Sequence, residues 1–513
     1  MDDNSGRRPL AGPGVDSDPI IGAIHYRSQD VVPGGLFVAI SGHRADGHDY
    51  IDDAISRGAA AIVAEKEIDC TRPLVQVTDS RRALAELAAA FYNNPSHRLN
   101  LVGITGTNGK TTVTYLVEGM LASAGYRVGV IGTVNYRYGG RQFDNPVTTP
   151  ESLDLQRILA KMEAAGVTHV VMEVSSHAVD LSRVVSCCFT VGAFTNLTQD
   201  HLDYHKTMVA YWDCKRRFFT ENILTGPTGG RTVVVVNSDD EHGKSLLADL
   251  ASTHAQVVPF GQADGAVRPM AVTTDALGIR GQVSIPTGVV DISSQLVGMH
   301  NLENLLCAVG IGVALSLPPR NIVAGIKSVT HVPGRLERIS DPDGRLIFVD
   351  YAHTPDALKN VLTTLLGITT RRIVCIFGCG GDRDTGKRAP MGEISGRLAN
   401  LSIVTSDNPR GESPEKIIDQ IIDGIRPLGI DRLSAHDVGD WNSESAYLVM
   451  PDREEAIQIG IQVAGPGDVV LIAGKGHETY QLIGAQRLRF DDRVAAREVL
   501  VDLSFEKENR AAP

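Results

Sequence analysis

Residues 103–112 read Gly-Ile-Thr-Gly-Thr-Asn-Gly-Lys-Thr-Thr, between an apolar run that begins at Leu101 and the helical stretch TTVTYLVEGMLASAG. An apolar run that stops at glycines and resumes with helical periodicity predicts strand, tight turn and helix, the opening unit of a parallel α/β layer. In such a unit the backbone N–H groups of the turn converge on an anion at the helix N-terminus. Lys110 would add a mobile cation there, and the Thr111 hydroxyl could ligate Mg2+. The strict pattern GxxxxGK[ST] fails at one position, because Ile104 stands where its first glycine belongs. The plainer alternative is a glycine-rich turn followed by a surface lysine.

The same alternation runs through the rest of the chain. Residues 34–77 mix short apolar runs with the helix-like DDAISRGAA, and the helical pattern SRRALAELAAAFY then ends at the turn formers Asn93-Asn94-Pro95-Ser96. The runs YRVGVIG, THVVMEV, GAFTN and TVVVVN predict a parallel sheet with helices on both faces. Around 265–297 the pattern changes to short Gly-, Thr- and Val-rich strands, which suggests a subsidiary antiparallel piece. The last block carries four strand candidates, RLIFVD, RRIVCIF, LSIVTSD and DVVLIAG, each followed by a polar cluster. Ligands of open α/β sheets sit beyond the carboxyl ends of the strands, so the four clusters predict one shared site. The expected fold is α/β in three domains: a small N-terminal α/β domain at 1–98, a central P-loop ATPase domain with a mainly parallel sheet at 99–330, and a C-terminal Rossmann-like domain at 331–513.

Composition removes several functions. With 61 acidic against 49 basic side chains the net charge is -12, so a nucleic-acid partner held by phosphate neutralisation is not expected. Seven cysteines without a CxxC pair read as reduced thiols of a cytoplasmic protein. The N-terminus lacks the apolar core of a secretory signal, and no apolar run is long enough for a membrane span.

Magnesium on a nucleotide wants oxygen ligands, and Glu173, which closes the apolar run HVVM, is the natural second donor. Taken alone it would be a loop carboxylate or a helix cap. His201, in TQDHLDYH, would be a surface histidine.

TGTNGKTT, MEVSSH and NLTQDHLDYH, in that order, resemble the Mur ligases, ATP-dependent amide-forming enzymes of peptidoglycan assembly. MHNLENLLCAVG, VPGRLE, DYAHTPDAL, GCGGDRDTGKR, SDNPR and GKGHETYQ extend the resemblance over most of the chain. It implies that ATP is bound by Gly106, Thr107, Asn108, Gly109, Lys110, Thr111 and Thr112, with Asn301, Asn304, Asp350 and His353 near the base and ribose. Thr111 and Glu173 would hold one Mg2+, and His201 would help hold a second. Lys215, in YWDCKRRFF, matches the family lysine carbamylated by CO2 (N6-carboxylysine), a metal-side oxygen donor. Arg335 and Lys387 match cations that approach the γ-phosphate.

The resemblance also implies substrates. Asp407-Asn408-Pro409-Arg410, with Arg383, Gly474 and Glu478, matches the site for meso-diaminopimelate, where Arg410 would grip the carboxylate that lysine lacks and Glu478 would meet an ammonium. DNPRGE is also a good turn and helix start. A UDP-N-acetylmuramoyl dipeptide would be held by His43, Arg44, Ala45, Thr148, Thr149, Ser175 and Arg183, with Ser28 as a substitute contact. There the sequence departs from the family, reading His25-Tyr26-Arg27 for Asp-Ser-Arg and Leu181 for a glutamine. A monomer is expected. The rivals are a folylpolyglutamate synthetase and a P-loop switch that forms no bond; DNPR counts against the first, and the four clusters against the second.

Overall fold

The computed structural model describes residues 9–10, 18–42, 45–224, 232–369, 371–441 and 445–511. Its centre is an eight-stranded sheet in the order Gln256–Phe260, Val233–Asn237, Phe189–Phe194, Asn100–Thr105, His169–Glu173, Val128–Ile131, Tyr136–Tyr138, Arg141–Phe143. The first six strands are parallel, and the last two form an antiparallel hairpin on the edge. Alternation along the central strand sorts the core. Val102 and Ile104 face the helices Lys110–Ser123 and Met299–Ala314, whereas Leu101 faces Ser152–Ala164 and the aromatic group around Phe218.

Before it lies a five-stranded sheet in the order Pro9–Leu10, Leu74–Gln76, Ala61–Ala64, Gly35–Val38, Ala23–His25, parallel except for its first member. The helix Ser80–Phe91 follows, capped by Asp79, whose side chain accepts from the Arg81 and Arg82 N–H groups. Asn93 and Asn94 end it with φ of 61° and 50°, a left-handed exit that asparagine tolerates well. The antiparallel piece expected around 265–297 is a three-stranded meander, Arg268–Asp275, Gly278–Ile285 and Gly288–Ser294.

The last sheet has seven strands. Four adjacent ones are those read from the sequence: Leu346–Asp350, Val469–Ala473, Ile373–Phe377 and Leu401–Val404, all parallel. Three short strands that were not anticipated, Glu337–Ile339, Ala446–Val449 and Asp431–Leu433, complete its edges. All seven cysteines are free, and no described helix is long and apolar enough to cross a membrane.

The helix Asp492–Ala511 is fastened by a buried ion pair. Arg453 donates from Nε and Nη2 to the two Asp492 oxygens at 2.7 Å each, with side-chain exposures of 1% and 0%. Removing one partner strands the other charge in the core, so Asp492→Ala is expected to destabilise the last domain by roughly 3–5 kcal/mol. A lowered midpoint in urea unfolding followed by circular dichroism checks this; a midpoint equal to wild type would refute it.

Candidate functional site

The glycine-rich turn begins two residues later than the strict pattern requires. Ile104 is still strand, paired with Glu173 on one side and Ala193 on the other, and the chain turns at Gly106 (φ 144°) and Gly109 (φ 87°). Neither glycine has room for a side chain. A Cβ would stand 1.9 Å from Thr195 Oγ1 at Gly106 and 2.1 Å from Asn304 Oδ1 at Gly109. The turn is thus a cradle of bare backbone at the start of helix Lys110–Ser123, whose first N–H groups have no partner within the helix. Gly109→Ala should therefore weaken ATP binding at least about tenfold by displacing those donors. Calorimetric titration with ATP reads the change, and unaltered affinity would contradict it.

Two lysines meet behind the cradle. Lys110 Nζ donates to Gly106 O at 2.9 Å and to Thr107 O at 2.8 Å, while Lys215 Nζ donates to the same Gly106 oxygen at 2.8 Å. Lys215 is 1% exposed and lies over the Tyr211 ring. Burial, with Lys110 acting in the same direction, holds the Lys215 amine well below its usual range. Burial also lowers Lys110, opposed by Glu173 and reinforced by Arg335.

In front of the cradle, Glu173 accepts from Thr111 Oγ1 at 3.1 Å, from Thr133 Oγ1 at 2.9 Å and from the Thr133 N–H at 2.9 Å. A carboxylate and a hydroxyl 3.1 Å apart beside the glycine-rich turn are hard oxygen donors, and they suit Mg2+. His201 has φ 54°, and its ring packs edge-on to His177. Among the described residues no group of three His, Cys, Asp or Glu side chains forms a metal cage.

From the last domain, the four polar clusters do meet. Gly474 N–H donates to Asp350 O at 3.1 Å, and Lys387 Nζ to His353 O at 2.8 Å. Arg335 lies over Tyr351, 4.7 Å from the ring centre. Beyond them Asn408 Nδ2 donates to Glu478 Oε2 at 2.8 Å, and Arg410 Nη1 to Gly381 O at 2.9 Å. Gly380 and Gly381 explain how the motif fits: a Cβ would stand 2.9 Å from Arg410 Nη1 at the first, and 1.9 Å from Pro409 O at the second. Burial raises the Glu478 carboxyl, opposed by Lys475. Arg383 is exposed in the adjoining loop.

This layout recurs in known proteins. The middle domain of the Mur ligases matches residues 104–312, the Mur ligase glutamate ligase domain 334–476, and the Mur ligase catalytic domain 20–92. A UDP-N-acetylmuramoyl-L-alanyl-D-glutamate--2,6-diaminopimelate ligase of Geobacter metallireducens is 47% identical over 94% of this chain and 95% of its own. The chain belongs to the Mur ligase family. A like-named protein of Geobacter sulfurreducens is 46% identical over 93% of this chain and 94% of its own. A solved structure, again titled as that ligase, superposes with a TM-score of 0.67 at 29% identity, covering 94% of this chain and 95% of the other.

In this Mur ligase the remaining motif residues fall into two groups. Thr149 is buried, its hydroxyl donating to Glu173 O at 2.8 Å and accepting the Ser175 N–H at 3.1 Å. Thr148 meets Thr133 at 3.1 Å, and Arg183 donates to Thr149 O at 3.0 Å, so these four gather beside Glu173. Ser28 and Ala45 belong to the first sheet's region, while His43 and Arg44 lie outside the described residues. Within the atypical His25-Tyr26-Arg27, the Tyr26 hydroxyl donates to Asp154 at 2.7 Å, tying the first domain to the second.

Two placements differ in emphasis from the motif reading. Asn304 packs on Gly109 and donates to Asn301 Oδ1 at 2.9 Å. Asp350 accepts the backbone N–H groups of Leu336 and Ala352, both at 2.7 Å, and thereby shapes the loop of Arg335. Sequence reasoning missed Thr133 and Lys475. The latter is fully buried, with Nζ 3.3 Å from Asn408 Oδ1 and 3.4 Å from Glu478 Oε2. Its position inside the quoted GKGHETYQ was the available signal.

Proposed function

We propose that this Mur ligase uses ATP to join meso-2,6-diaminopimelate to the D-glutamate of UDP-N-acetylmuramoyl-L-alanyl-D-glutamate, a step of peptidoglycan precursor synthesis. The observation that carries the reading is the meeting of two differently built halves. A bare-backbone phosphate cradle backed by two lysines is joined to the domain of the Arg410, Asn408 and Glu478 cluster by the helix Met299–Ala314, whose Asn304 packs on Gly109 and whose His300 meets Thr364. The relatives' names agree with that division.

The cradle of Gly106–Thr112 holds the triphosphate through N–H groups, and Lys110 swings from Gly106 O and Thr107 O onto it. Asn301 and Asn304 support the nucleotide side, and His353 and Lys387 close on it from the last domain. Thr111 and Glu173, joined by His201 and a carbamylated Lys215, would hold magnesium, which supplies charge neutralisation between two anions. The glutamyl carboxylate oxygen attacks the γ-phosphorus and ADP leaves, with Arg335 countering the charge on the transferred group. The diaminopimelate amine then attacks the acyl carbon and loses a proton, and phosphate departs.

Arg410 and Arg383 receive the distal carboxylate, and Glu478 receives an ammonium beside Asp407, Asn408, Pro409 and Gly474. Thr148, Thr149, Ser175 and Arg183 lead the dipeptide to Glu173, with Ser28, His43, Arg44 and Ala45 toward the UDP end. The reading includes domain limits of 1–98, 99–330 and 331–513, a cytoplasmic location and a monomer. It is tested by phosphate release from ATP with the UDP-muramoyl dipeptide, adding diaminopimelate, lysine or glutamate in turn. Release only with diaminopimelate is expected. Equal release with lysine would overturn the specificity, and release indifferent to amino acids would overturn the ligase reading.

A further inference from the structure

The loop that presents Arg335 is bent against its own preferences. Gly334 has φ 63° and Leu336 has φ 43°, and for leucine that left-handed region is strained. Strain of this kind persists only where surrounding groups enforce it. Here two buried carboxylates do so. Glu337 Oε2 accepts the Gly334 N–H at 2.9 Å, and Asp350 Oδ2 accepts the Leu336 N–H at 2.7 Å, one on each side of Arg335. The turn is also pressed onto the strand-end loop, since a Cβ on Gly334 would stand 2.2 Å from the His477 nitrogen.

Glu337 is 5% exposed, so its charge needs partners. They come from the helix Asp492–Ala511: Arg493 Nη1 is 3.5 Å from Oε2, and Arg497 Nη2 is 3.6 Å from Oε1. Arg493 is itself fixed by Asp491 at 2.7 Å and donates to His477 O at 3.4 Å. Both arginines lie past residue 476, where the match to the glutamate ligase domain ends. The C-terminal helix is thereby connected to the Arg335 loop through the Glu337 carboxylate and, by way of Arg493, through His477.

We propose that Glu337, held by Arg493 and Arg497, is a positioning residue that sets the Arg335 guanidinium for the transferred phosphoryl group. The proposal rests on the reading of Arg335 given above. Glu337 touches no reactant. It fixes the backbone from which Arg335 projects, and a misplacement of about 1 Å in such a group lowers turnover on the order of 100-fold.

The test is a double-mutant cycle on the full-length enzyme, with steady-state kinetics and a thermal melt for each variant. Glu337→Ala is expected to lower kcat by about 10- to 100-fold while KM for ATP and diaminopimelate stays within about threefold. Glu337→Gln keeps an acceptor for the Gly334 N–H and should recover much of that loss. Arg497→Met alters a half-exposed residue and should lower kcat about threefold, its thermal melt being compared with that of wild type. In an Arg335→Ala background Glu337→Ala should change kcat by less than about twofold, because the two act as one unit. Equal losses in both backgrounds, or a loss that only follows the unfolded fraction, would reduce Glu337 to a structural ion pair. Wild-type kcat in Glu337→Ala, with Arg335→Ala impaired, overturns this proposal alone; wild-type kcat in Arg335→Ala overturns the reading of Arg335 and the proposal with it.

Discussion

Lys215→Ala is expected to lower kcat by about 10²- to 10³-fold, the scale of one lost preorganised electrostatic contact, while ATP still binds. Two Nζ atoms converge on Gly106 O from below the phosphate cradle, at 2.9 Å and 2.8 Å, and two ammonium groups so placed repel each other. Burial and Lys110 both push the Lys215 pKa down, so near neutral pH its amine is more often unprotonated than an ordinary lysine's. A neutral amine is what attacks the carbon of CO2 and sheds a proton to form a carbamate. That conversion replaces a second cation with an oxygen-donor anion beside Lys110, which removes the repulsion and suits a hard metal. Two further outcomes follow. Removing dissolved CO2 should lower wild-type activity reversibly, and a small carboxylate such as formate, entering the space left in Lys215→Ala, should restore part of the rate. Full activity in the variant, or a wild-type rate indifferent to CO2, would contradict the assignment.

Arg410→Ala is expected to raise KM for diaminopimelate by roughly 100-fold, about 3 kcal/mol, with KM for ATP nearly unchanged. One end of the guanidinium is anchored to Gly381 O at 2.9 Å, and the residue holds φ 52°, a left-handed backbone fixed by Arg410 N–H to Leu482 O at 2.9 Å and Gly484 N–H to Arg410 O at 2.7 Å. The side chain is therefore aimed before any ligand arrives. Losing it removes a paired charge for diaminopimelate but a repulsive one for lysine, so the preference between the two amino acids should narrow from both sides. Arg410→Lys should fall between, since an ammonium cannot pair through two parallel donors. Kinetics with both amino acids decide the matter; an unchanged preference ratio would be fatal to it.

Much of this site was legible in the chain because its chemistry is local. The cradle, Thr111 and the order of strands with polar clusters are contiguous patterns, and the parallel sheet puts Glu173 next to Ile104 by register alone. What sequence hides is contact over distance. Thr133, 40 positions from Glu173, supplies two of its hydrogen bonds, and nothing in VIGTVN marks it. Lys475 reads as a solvated cation until it is seen to have no exposure. Asp350 matches a nucleotide position in the motif, yet its oxygens shape the Arg335 loop, which only the fold discloses. The edge strands Glu337–Ile339 and Asp431–Leu433, three residues each, are too short to display a period.

The helix Met299–Ala314 has one side chain on each half of the machine: Asn304 against Gly109 of the cradle, and His300 Nδ1 within 3.2 Å of Thr364 Oγ1 in the last domain. Whoever builds chimaeras by exchanging terminal domains between relatives would cut through this shared fulcrum. A working graft keeps Thr364 and its histidine partner together, because their contact is one of the ties between the two halves.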